Sequence, residues 1–376
     1  MDEKRLVEHF KWLHRHPELG FEERQTTAYL KEILEEHGVR LLDTGLETGA
    51  LAAIGDGEPV VALRADIDAL PILEESGLPY ASEHPGVMHA CGHDFHASMM
   101  LGAALLLKAR EKELRGTVKV IFQPAEELAG GAKSVVATGL LDDVQAFYAG
   151  HTYPWLEPGT LGIRPGPIMA SADRFTLKVT GLGCHAAHPE LGVDPIPALT
   201  AIINSAQTIV SRSVCAFDSA VVSFTHIEAG NVWNVLPETV FAEGTVRAMT
   251  QTVREDVEKR LARLVKAIAE AHGCRADFEY IYGAAPVSND AGACDRARAL
   301  ALEMGFDAVE QPCSMGSEDF SAYLDIAPGG FFRIGTGGGV YDTHHPKFIA
   351  DPAALWPAAR FFAALAEREL IRLSGN

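Results

Sequence analysis

Apolar residues recur along this chain with two kinds of spacing, and the changes between them divide the chain into regions. Helical spacing covers roughly 3–15 and 22–37, which predicts two helices before any strand. Short apolar runs then predict four strands, at 50–54, 60–63, 118–122 and 146–149. A helical segment from 96 to about 110 lies between the second and the third of these strands. Strands that alternate with helices predict an α/β layer with a largely parallel central sheet.

A different order of elements is predicted between residues 174 and 283. Residues 175–180 alternate between apolar and polar, as in a strand with one buried face. A helix, two strands, a long charged helix and a last strand follow, at 195–211, 220–227, 239–247, 251–272 and 278–282. The order β-α-β-β-α-β is that of a ferredoxin-like unit. Because helix and strand alternation resumes afterwards, we expect a discontinuous catalytic domain, 1–173 and 284–376, interrupted by an inserted α+β domain, 174–283.

Composition excludes several classes of partner. A chain of 376 residues that is 47% hydrophobic can bury a large core. A formal charge of -19 argues against nucleic acid, which is bound through clustered Lys and Arg. The first residues lack the apolar core of a signal peptide, and the longest apolar run, 97–107, is too short to span a membrane. Six scattered cysteines fit reduced thiols, so we expect a cytoplasmic protein without a membrane partner.

Residue types that bind metal ions follow the predicted strands. Asp66 and Asp68 come directly after the apolar run 60–63, at a strand end where α/β sheets place ligands. Two carboxylates at i and i+2 on extended backbone point the same way, so they could bind a metal or orient a ligand histidine. An acidic turn that closes the strand explains this segment equally well.

A cysteine and a histidine stand two residues apart before the next predicted helix. Cys91 and His93 flank a glycine, and the helix opens near Asp94. A bound metal lowers the pKa of a thiol and so makes a thiolate ligand plausible. A buried thiol beside a structural histidine explains the triplet when it is taken alone.

Two further segments carry ligand types. Glu126 and Glu127 follow an apolar strand, and adjacent glutamates on a helix cannot both face one metal, so one would bind while the other transfers protons. His151 ends another apolar strand, and His344 and His345 follow a glycine-rich turn. Each segment has an ordinary explanation of its own. Their recurrence on the carboxyl side of predicted strands indicates a two-metal hydrolase site.

Four strings of the sequence resemble the signature of the aminoacylase and carboxypeptidase-G metallopeptidase superfamily. The narrower resemblance is to its amidohydrolase branch, which includes hippurate hydrolase and the indole-acetyl-amino-acid hydrolases. The strings are Arg-Ala-Asp-Ile-Asp-Ala-Leu-Pro at 64–71, His-Ala-Cys-Gly-His-Asp at 89–94, Gln-Pro-Ala-Glu-Glu at 123–127 and His-His-Pro-Lys-Phe at 344–348. The resemblance extends over essentially the whole chain. It implies a di-metal α/β domain interrupted by a ferredoxin-like lid that forms a homodimer or a dimer of dimers.

The resemblance also implies roles for single residues. Cys91 becomes the ligand that bridges two divalent ions, which could be zinc, manganese, cobalt or nickel. Glu126 becomes the general acid and base, and Asp68 the carboxylate that orients a ligand. The other implied ligands are His93, Glu127, His151 and one histidine of the pair 344/345, for which His344 is favoured. More distant relatives have histidine where Asp66 stands and aspartate where Cys91 stands, so their metal preference does not transfer.

The predicted lid contributes residues as well. Segment 179–189 resembles the family's glycine-histidine-alanine segment, whose histidine binds the oxyanion in the partner subunit. On that resemblance His185 acts in trans. Asn234 and Arg247 are implied to hold the substrate, since the planar arginine fork suits a carboxylate. The implied reaction is hydrolysis of an N-acyl amino acid or a similar small amide.

Two other functions remain open at this point. A metal-binding protein without catalysis would hold metal and hydrolyse no amide. A cysteine hydrolase with Cys91 as nucleophile and His93 as base would resist chelators and be inactivated by thiol alkylation. The cysteine hydrolase gives no use for Glu127, His151 and His344.

Overall fold

The computed structural model describes residues 2–375, which form two compact units. The first unit contains the residues up to Gly166, then Ser288–Pro312, then those from Asp319 onward. The second unit contains Pro167–Val287 and Cys313–Glu318. It extends beyond the predicted range 174–283 at both ends.

The elements are numbered in chain order. The α-helices are α1 (Glu3–Arg15), α2 (Arg24–Glu36), α3 (His93–Ala109), α4 (Gly131–Val136), α5 (Pro195–Thr208), α6 (Gln251–Ala271), α7 (Ala291–Glu303), α8 (Ser321–Leu324) and α9 (Leu355–Leu373). The β-strands are β1 (Arg40–Leu42), β2 (Ala50–Gly55), β3 (Val60–Asp66), β4 (Thr117–Gln123), β5 (Ala146–Tyr153), β6 (Thr160–Gly162), β7 (Gly166–Met169), β8 (Ala172–Thr180), β9 (Cys184–His185), β10 (Ala220–Ala229), β11 (Val235–Leu236), β12 (Thr239–Ala248), β13 (Arg275–Ala284), β14 (Val287–Asn289), β15 (Asp307–Val309) and β16 (Gly329–Gly335). Among residues 2–375, none of the helices combines the length and the apolar character needed to cross a bilayer.

The first unit is built on an eight-stranded sheet with the order β1-β2-β4-β3-β5-β16-β6-β15. The four strands at its centre, β4, β3, β5 and β16, are parallel to one another. The pairs β1–β2, β2–β4 and β16–β6 are antiparallel. The fold is therefore α/β with a mixed, largely parallel central sheet, as the alternation of strands and helices predicts.

The central strands form because they are apolar along their whole length. All residues of β3, β4 and β16 are buried, as expected for parallel strands that are covered on both faces. Helix α3 is buried nearly all round and packs on α1 and α9. Its Gly102 allows this approach, since a Cβ there would lie 2.9 Å from both Leu6 and Ala359. Tight packing of α3 places its N-terminus firmly beside the sheet.

The second unit contains a four-stranded antiparallel sheet with the order β10-β12-β8-β13. Along β8, Phe175, Leu177 and Val179 are buried and alternate with more exposed residues. Helices α5 and α6 cover the buried face. The apolar positions of α6 recur every four residues, at Val253, Val257, Leu261 and Val265. The elements follow one another as β-α-β-β-α-β, and β9 and β11 form a separate two-stranded sheet.

Candidate metal centre and active site

Four adjacent parallel strands of the first unit bring ligand-type residues to one edge of the sheet. Asp68 follows β3, Glu126 and Glu127 follow β4, and His344 lies in the loop beyond β16. His151 lies inside β5 and not after its end, because β5 continues to pair with β16 through Tyr153. Parallel strands end at the same edge, so these side chains converge although they are far apart in sequence.

The convergence places all five implied metal ligands together. Cys91, His93 and His151 each offer one donor atom, and these atoms lie within 4.8 Å of one another. Cys91, Glu127 and His344 form a second such group. The two groups share the Cys91 Sγ, which is 3.4 Å from His151 Nε2. One thiol at the junction of two donor groups is the arrangement that a bridging ligand requires.

Cys91 sits just before the N-terminus of α3, and Gly92 makes this position possible. Gly92 has φ 83°, and a Cβ there would lie 2.6 Å from Thr152 Oγ1. The helix N-terminus favours negative charge and so favours a thiolate. Burial acts in the opposite direction and raises the pKa of the Cys91 thiol. A cation beside the sulfur lowers the pKa of the thiol and so favours the thiolate.

Asp68 connects two of the donors. Its Oδ1 accepts a hydrogen bond from His93 Nδ1 at 3.1 Å, and its Oδ2 accepts one from the Glu127 backbone N–H at 3.0 Å. A neutral His93 ring therefore carries its proton on Nδ1 and its lone pair on Nε2. This Nε2 is buried and makes no hydrogen bond within residues 2–375. Buried polar atoms are normally hydrogen-bonded, so a buried imidazole nitrogen without a hydrogen bond is a candidate metal ligand.

Glu126 and Glu127 lie on a turn and not on the helix that the sequence predicts at this position. The turn is bounded by Ala125 and Ala129, which have φ 50° and 52°. Carboxylate oxygens of both glutamates lie within 4.8 Å of each other and of a His93 nitrogen. Left-handed backbone is uncommon at non-glycine residues, and such strained positions cluster at functional sites.

The structure distinguishes between the two adjacent histidines. His344 Nε2 lies 3.2 Å from Glu127 Oε1, and the Glu127 carboxylate raises the pKa of His344. The backbone of His344 is left-handed, with φ 66°, and its N–H donates to the Ala90 carbonyl at 2.7 Å. His345 instead stacks on Tyr341, with ring centroids 4.3 Å apart. His344 is thus the histidine that faces the donor groups.

A buried network lies behind the donors. Asp66, which was expected to bind metal or to orient a ligand, has its carboxylate bonded by Arg64 at 2.7 Å and by His96 at 2.6 Å. Burial alone would raise the pKa of Asp66, and the charge of Arg64 instead holds it well below its usual range. Arg64 also donates to Asp319 at 2.9 Å. His96 could have been noticed, since it lies one helical turn after His93.

Glu23 is a further buried residue beside the site whose position the sequence does not predict. It is buried, and its Oε1 accepts the Ala125 N–H at 2.8 Å, directly before Glu126. Burial raises the pKa of Glu23. The neighbouring Glu22 is exposed, and nothing local distinguishes the two, because the burial of Glu23 follows from contacts with distant parts of the chain.

Three implied site residues belong to the second unit. His185 pairs with Val235 across β9 and β11, and the Ala186 N–H donates to the Asn234 carbonyl at 3.0 Å. His185 Nδ1 accepts the Ala187 N–H at 3.0 Å, so a neutral His185 ring carries its proton on Nε2. Arg247 is half-buried on a different sheet, in β12. The second unit thus brings His185 and Asn234 together and carries Arg247 on a separate sheet.

The α/β fold and the donor groups fit a metal-dependent hydrolase. The chain belongs to the peptidase family M20/M25/M40, whose model matches residues 62–368.

Named relatives agree with this family. The chain is 44% identical to the N-acetylcysteine deacetylase of Bacillus subtilis (strain 168) over 365 residues, which cover 96% of each protein. It is 38% identical to the IAA-amino acid hydrolase ILR1-like 4 of Arabidopsis thaliana over 375 residues, which cover 97% of this chain and 85% of the relative. The predicted resemblance to the amidohydrolase branch is confirmed, and the protein is a hydrolase.

A solved structure extends the comparison to the fold. The crystal structure of the YXEP protein of Bacillus subtilis, a dinuclear metal binding peptidase from the M20 family, matches with a TM-score of 0.89 and 41% identity. The match covers 98% of both chains. This chain therefore has the fold of a dinuclear metal binding protein and carries donor residues of the appropriate types.

Proposed function

We propose that this protein hydrolyses the amide bond of N-acyl amino acids and uses two divalent metal ions held at the edge of the central sheet. The observation that carries the proposal is the pair of donor groups that share the Cys91 sulfur. The proposed ligands are Cys91, His93, Glu127, His151 and His344. Glu126, beside them, is left for proton transfer.

The side chains present fit such ions. Thiolate, imidazole and carboxylate are the ligands of zinc and of similar divalent metals, and manganese, cobalt and nickel remain alternatives. Burial and nearby positive charge hold the pKa of His151 well below its usual range, so its ring is neutral, as ligation requires. When bound, the ions would supply Lewis acidity, which polarises a carbonyl and lowers the pKa of water to about 7.

The chain's own residues would move the protons. Glu126 lies in one group with His93 and Glu127, whereas Glu127 alone of the two glutamates also joins Cys91 and His344. We therefore assign Glu127 to the metal and Glu126 to the reaction. Glu126 takes a proton from the attacking water and passes it to the leaving amine. Asp68 keeps the His93 ring and the Glu127 backbone in place for this reaction.

We further propose that residues 174–283 act as a lid through which subunits dimerise, and that the rest of the chain forms the catalytic domain. The Nε2–H of His185 is a suitable donor to the oxyanion in the partner's active site. Asn234 and Arg247 would hold the substrate, with Arg247 bound to its carboxylate. Trp233, which is 93% exposed, supports association, since a large exposed aromatic residue is typical of a contact surface.

The relatives suggest which substrates should be tried first. One relative is named for the deacetylation of N-acetylcysteine and another for the hydrolysis of IAA-amino acids. Both names describe an amino acid with an acyl group on its nitrogen. We propose that this chain acts on the same chemical class, in the cytoplasm, where its six free cysteines would stay reduced.

The test is a substrate panel with the metal controlled. The apoprotein is reconstituted with zinc, manganese, cobalt or nickel and offered N-acetyl, N-benzoyl and indole-acetyl amino acids, with short dipeptides for contrast. We expect turnover of N-acyl amino acids that chelation abolishes and added metal restores. A protein that binds stoichiometric metal but hydrolyses no amide would be a non-catalytic metal-binding protein, which would contradict the proposal. Turnover that resists chelation but is lost on thiol alkylation would instead make Cys91 a nucleophile.

A further inference from the structure

Thr152, the residue after His151, bonds to three parts of the metal centre. Its N–H donates to His96 Nε2 at 2.8 Å, and its carbonyl accepts from His151 Nδ1 at 2.8 Å. Its hydroxyl donates to the Cys91 carbonyl at 3.0 Å. Thr152 is completely buried, so none of these bonds is exchanged with water. One residue therefore connects two of the proposed ligands to His96, which is not among them.

The N–H of Thr152 needs His96 because the sheet does not satisfy it. Strand β3 pairs with β5 only as far as Ala149, opposite Arg64. Beyond this point β5 has lost its neighbour on that side, and a buried backbone N–H requires another acceptor. The imidazole of His96 occupies that position, and its ring centroid lies 4.6 Å from that of His151.

These bonds determine the protonation of the His96 ring. Nε2 accepts the Thr152 N–H, so the proton of a neutral ring lies on Nδ1 and is donated to Asp66 Oδ1 at 2.6 Å. The other oxygen of Asp66 accepts from Arg64 at 2.7 Å. Asp66, His93 and His96 also lie within 4.8 Å of one another, but both nitrogens of His96 are already used. His96 has no lone pair to offer to a metal ion.

The arrangement has a consequence for His151. Thr152 is held at its N–H by His96 and at its hydroxyl by the Cys91 loop, so its carbonyl is fixed where His151 Nδ1–H meets it. His151 then presents Nε2, with its lone pair, at 3.4 Å from the Cys91 sulfur. A ligand ring that is held in one tautomer and one orientation binds metal more tightly than a ring that must be ordered first.

We propose that His96 is a positioning residue of the metal centre, which acts through the backbone of Thr152 to hold His151 in its ligating tautomer. This inference rests on the metal site of the proposed function. It does not depend on the reaction or on the substrate. Its tests therefore measure metal binding and ring protonation, and they give a result even if no amide is hydrolysed.

The first test compares three variants by titration of the apoprotein with cobalt. In His96→Gln the side-chain oxygen can stand where Nε2 stood and accept the Thr152 N–H. In His96→Asn the amide reaches Asp66 only, and His96→Ala retains neither bond. We expect cobalt affinity to fall by about 10- to 100-fold in His96→Asn and His96→Ala, and by only about threefold in His96→Gln. The thiolate-to-cobalt absorption band then reports separately that Cys91 still binds.

A matched control separates positioning from general destabilisation. His14 is another buried histidine of the first unit, bonded to Asp94 at 2.6 Å and to Glu74 at 3.1 Å. We expect His14→Gln to lower the melting temperature and to leave the cobalt titration unchanged. Three His96 variants that melt lower but bind cobalt like the parent would reduce His96 to a structural residue and overturn the proposal.

Other outcomes contradict the proposal in different ways. Complete loss of one cobalt equivalent in all three variants, His96→Gln included, would make His96 a ligand itself. Normal binding in His96→Asn together with weak binding in His96→Gln would assign the effect to Asp66 and not to Thr152.

A second measurement needs no variant and so does not depend on how the variants fold. Nitrogen-15 NMR of histidine-labelled, zinc-loaded protein should show His96 protonated on Nδ1 and unprotonated on Nε2. A His96 ring protonated on Nε2 could not accept the Thr152 N–H, and this result would contradict the proposed positioning role.

Discussion

The two units present their implied site residues in opposite ways. In the first unit Cys91, His93 and His151 are buried, and each is bonded through its ring or backbone to a further group. In the second unit His185 is exposed, and the neighbouring Trp233 is 93% exposed. Buried polar groups must be bonded, so the ligand positions are determined within one chain. Exposed residues gain a comparable environment only from another surface.

This contrast separates what one chain can do from what it needs a partner for. The first unit should bind metal as a single chain, since all five proposed ligands lie on that chain. His185 of the second unit should matter only when a second subunit is present. The following experiments try to break that division, beginning with the largest expected effect.

Removal of the shared ligand should have the largest effect. We expect Cys91→Ala to lose bound metal and to reduce turnover by about 1,000-fold or more, because both donor groups lose their common atom. Metal analysis and kcat on the same sample measure this. Cys294→Ala is the matched control, since Cys294 is a buried thiol of the same unit that lies in the core. A Cys91→Ala protein with its full metal content and near-parental turnover would refute the bridging role.

Loss of His185 should leave the metal in place. We expect His185→Ala to keep its metal content and to lose about 100- to 1,000-fold in kcat, as when one oxyanion donor is removed. The assignment in trans has a sharper test, in which inactive His185→Ala and Glu126→Gln proteins are mixed and allowed to exchange subunits. Half of the dimers would then be mixed, each with one intact site, and about a quarter of the parental activity should return. A mixture that stays inactive, although mass spectrometry shows mixed dimers, would place His185 in its own subunit's site or outside catalysis.

The buried first unit should show a pH-dependent stability that His14 controls. Burial alone would lower the pKa of His14, but Asp94 and Glu74 raise it to about 9. The raised pKa contributes stability that is complete below the unfolded value, about 6.5, and is lost as the pH rises through about 9. We expect the free energy of unfolding to fall by about 3 kcal/mol across this interval. Urea unfolding of the parent and of His14→Gln measures it, and equal pH slopes in the two proteins would contradict the assignment.

Arg247 should give the smallest effect, and it should appear in KM. We expect Arg247→Lys to raise KM for an N-acyl amino acid by about tenfold, because a lysine cannot bind both carboxylate oxygens through a planar fork. For a substrate whose carboxylate is amidated, Arg247→Lys and the parent should have the same KM. A fall in kcat with unchanged KM would mean that Arg247 does not bind the carboxylate.

The same contrast explains how much could be predicted from the sequence. Continuous apolar runs such as 60–63 predict buried strands because parallel strands are covered on both faces, and the ligand types at their ends predict the metal centre. The bonds behind the centre could not be predicted. Arg64 and Asp319 are 255 residues apart, and Glu23 differs from Glu22 only through contacts with distant segments. The turn that carries Glu126 depends on left-handed alanines, for which the sequence has no pattern.

The role of Glu126 is the central claim, and one measurement tests it most directly. Glu126→Gln is reconstituted with metal, its metal content is determined, and kcat is measured on the N-acyl amino acid that the parent hydrolyses best. We expect an unchanged metal content and a kcat reduced by about 100- to 10,000-fold, as for the loss of a general acid and base. Near-parental turnover at full metal content would contradict the account.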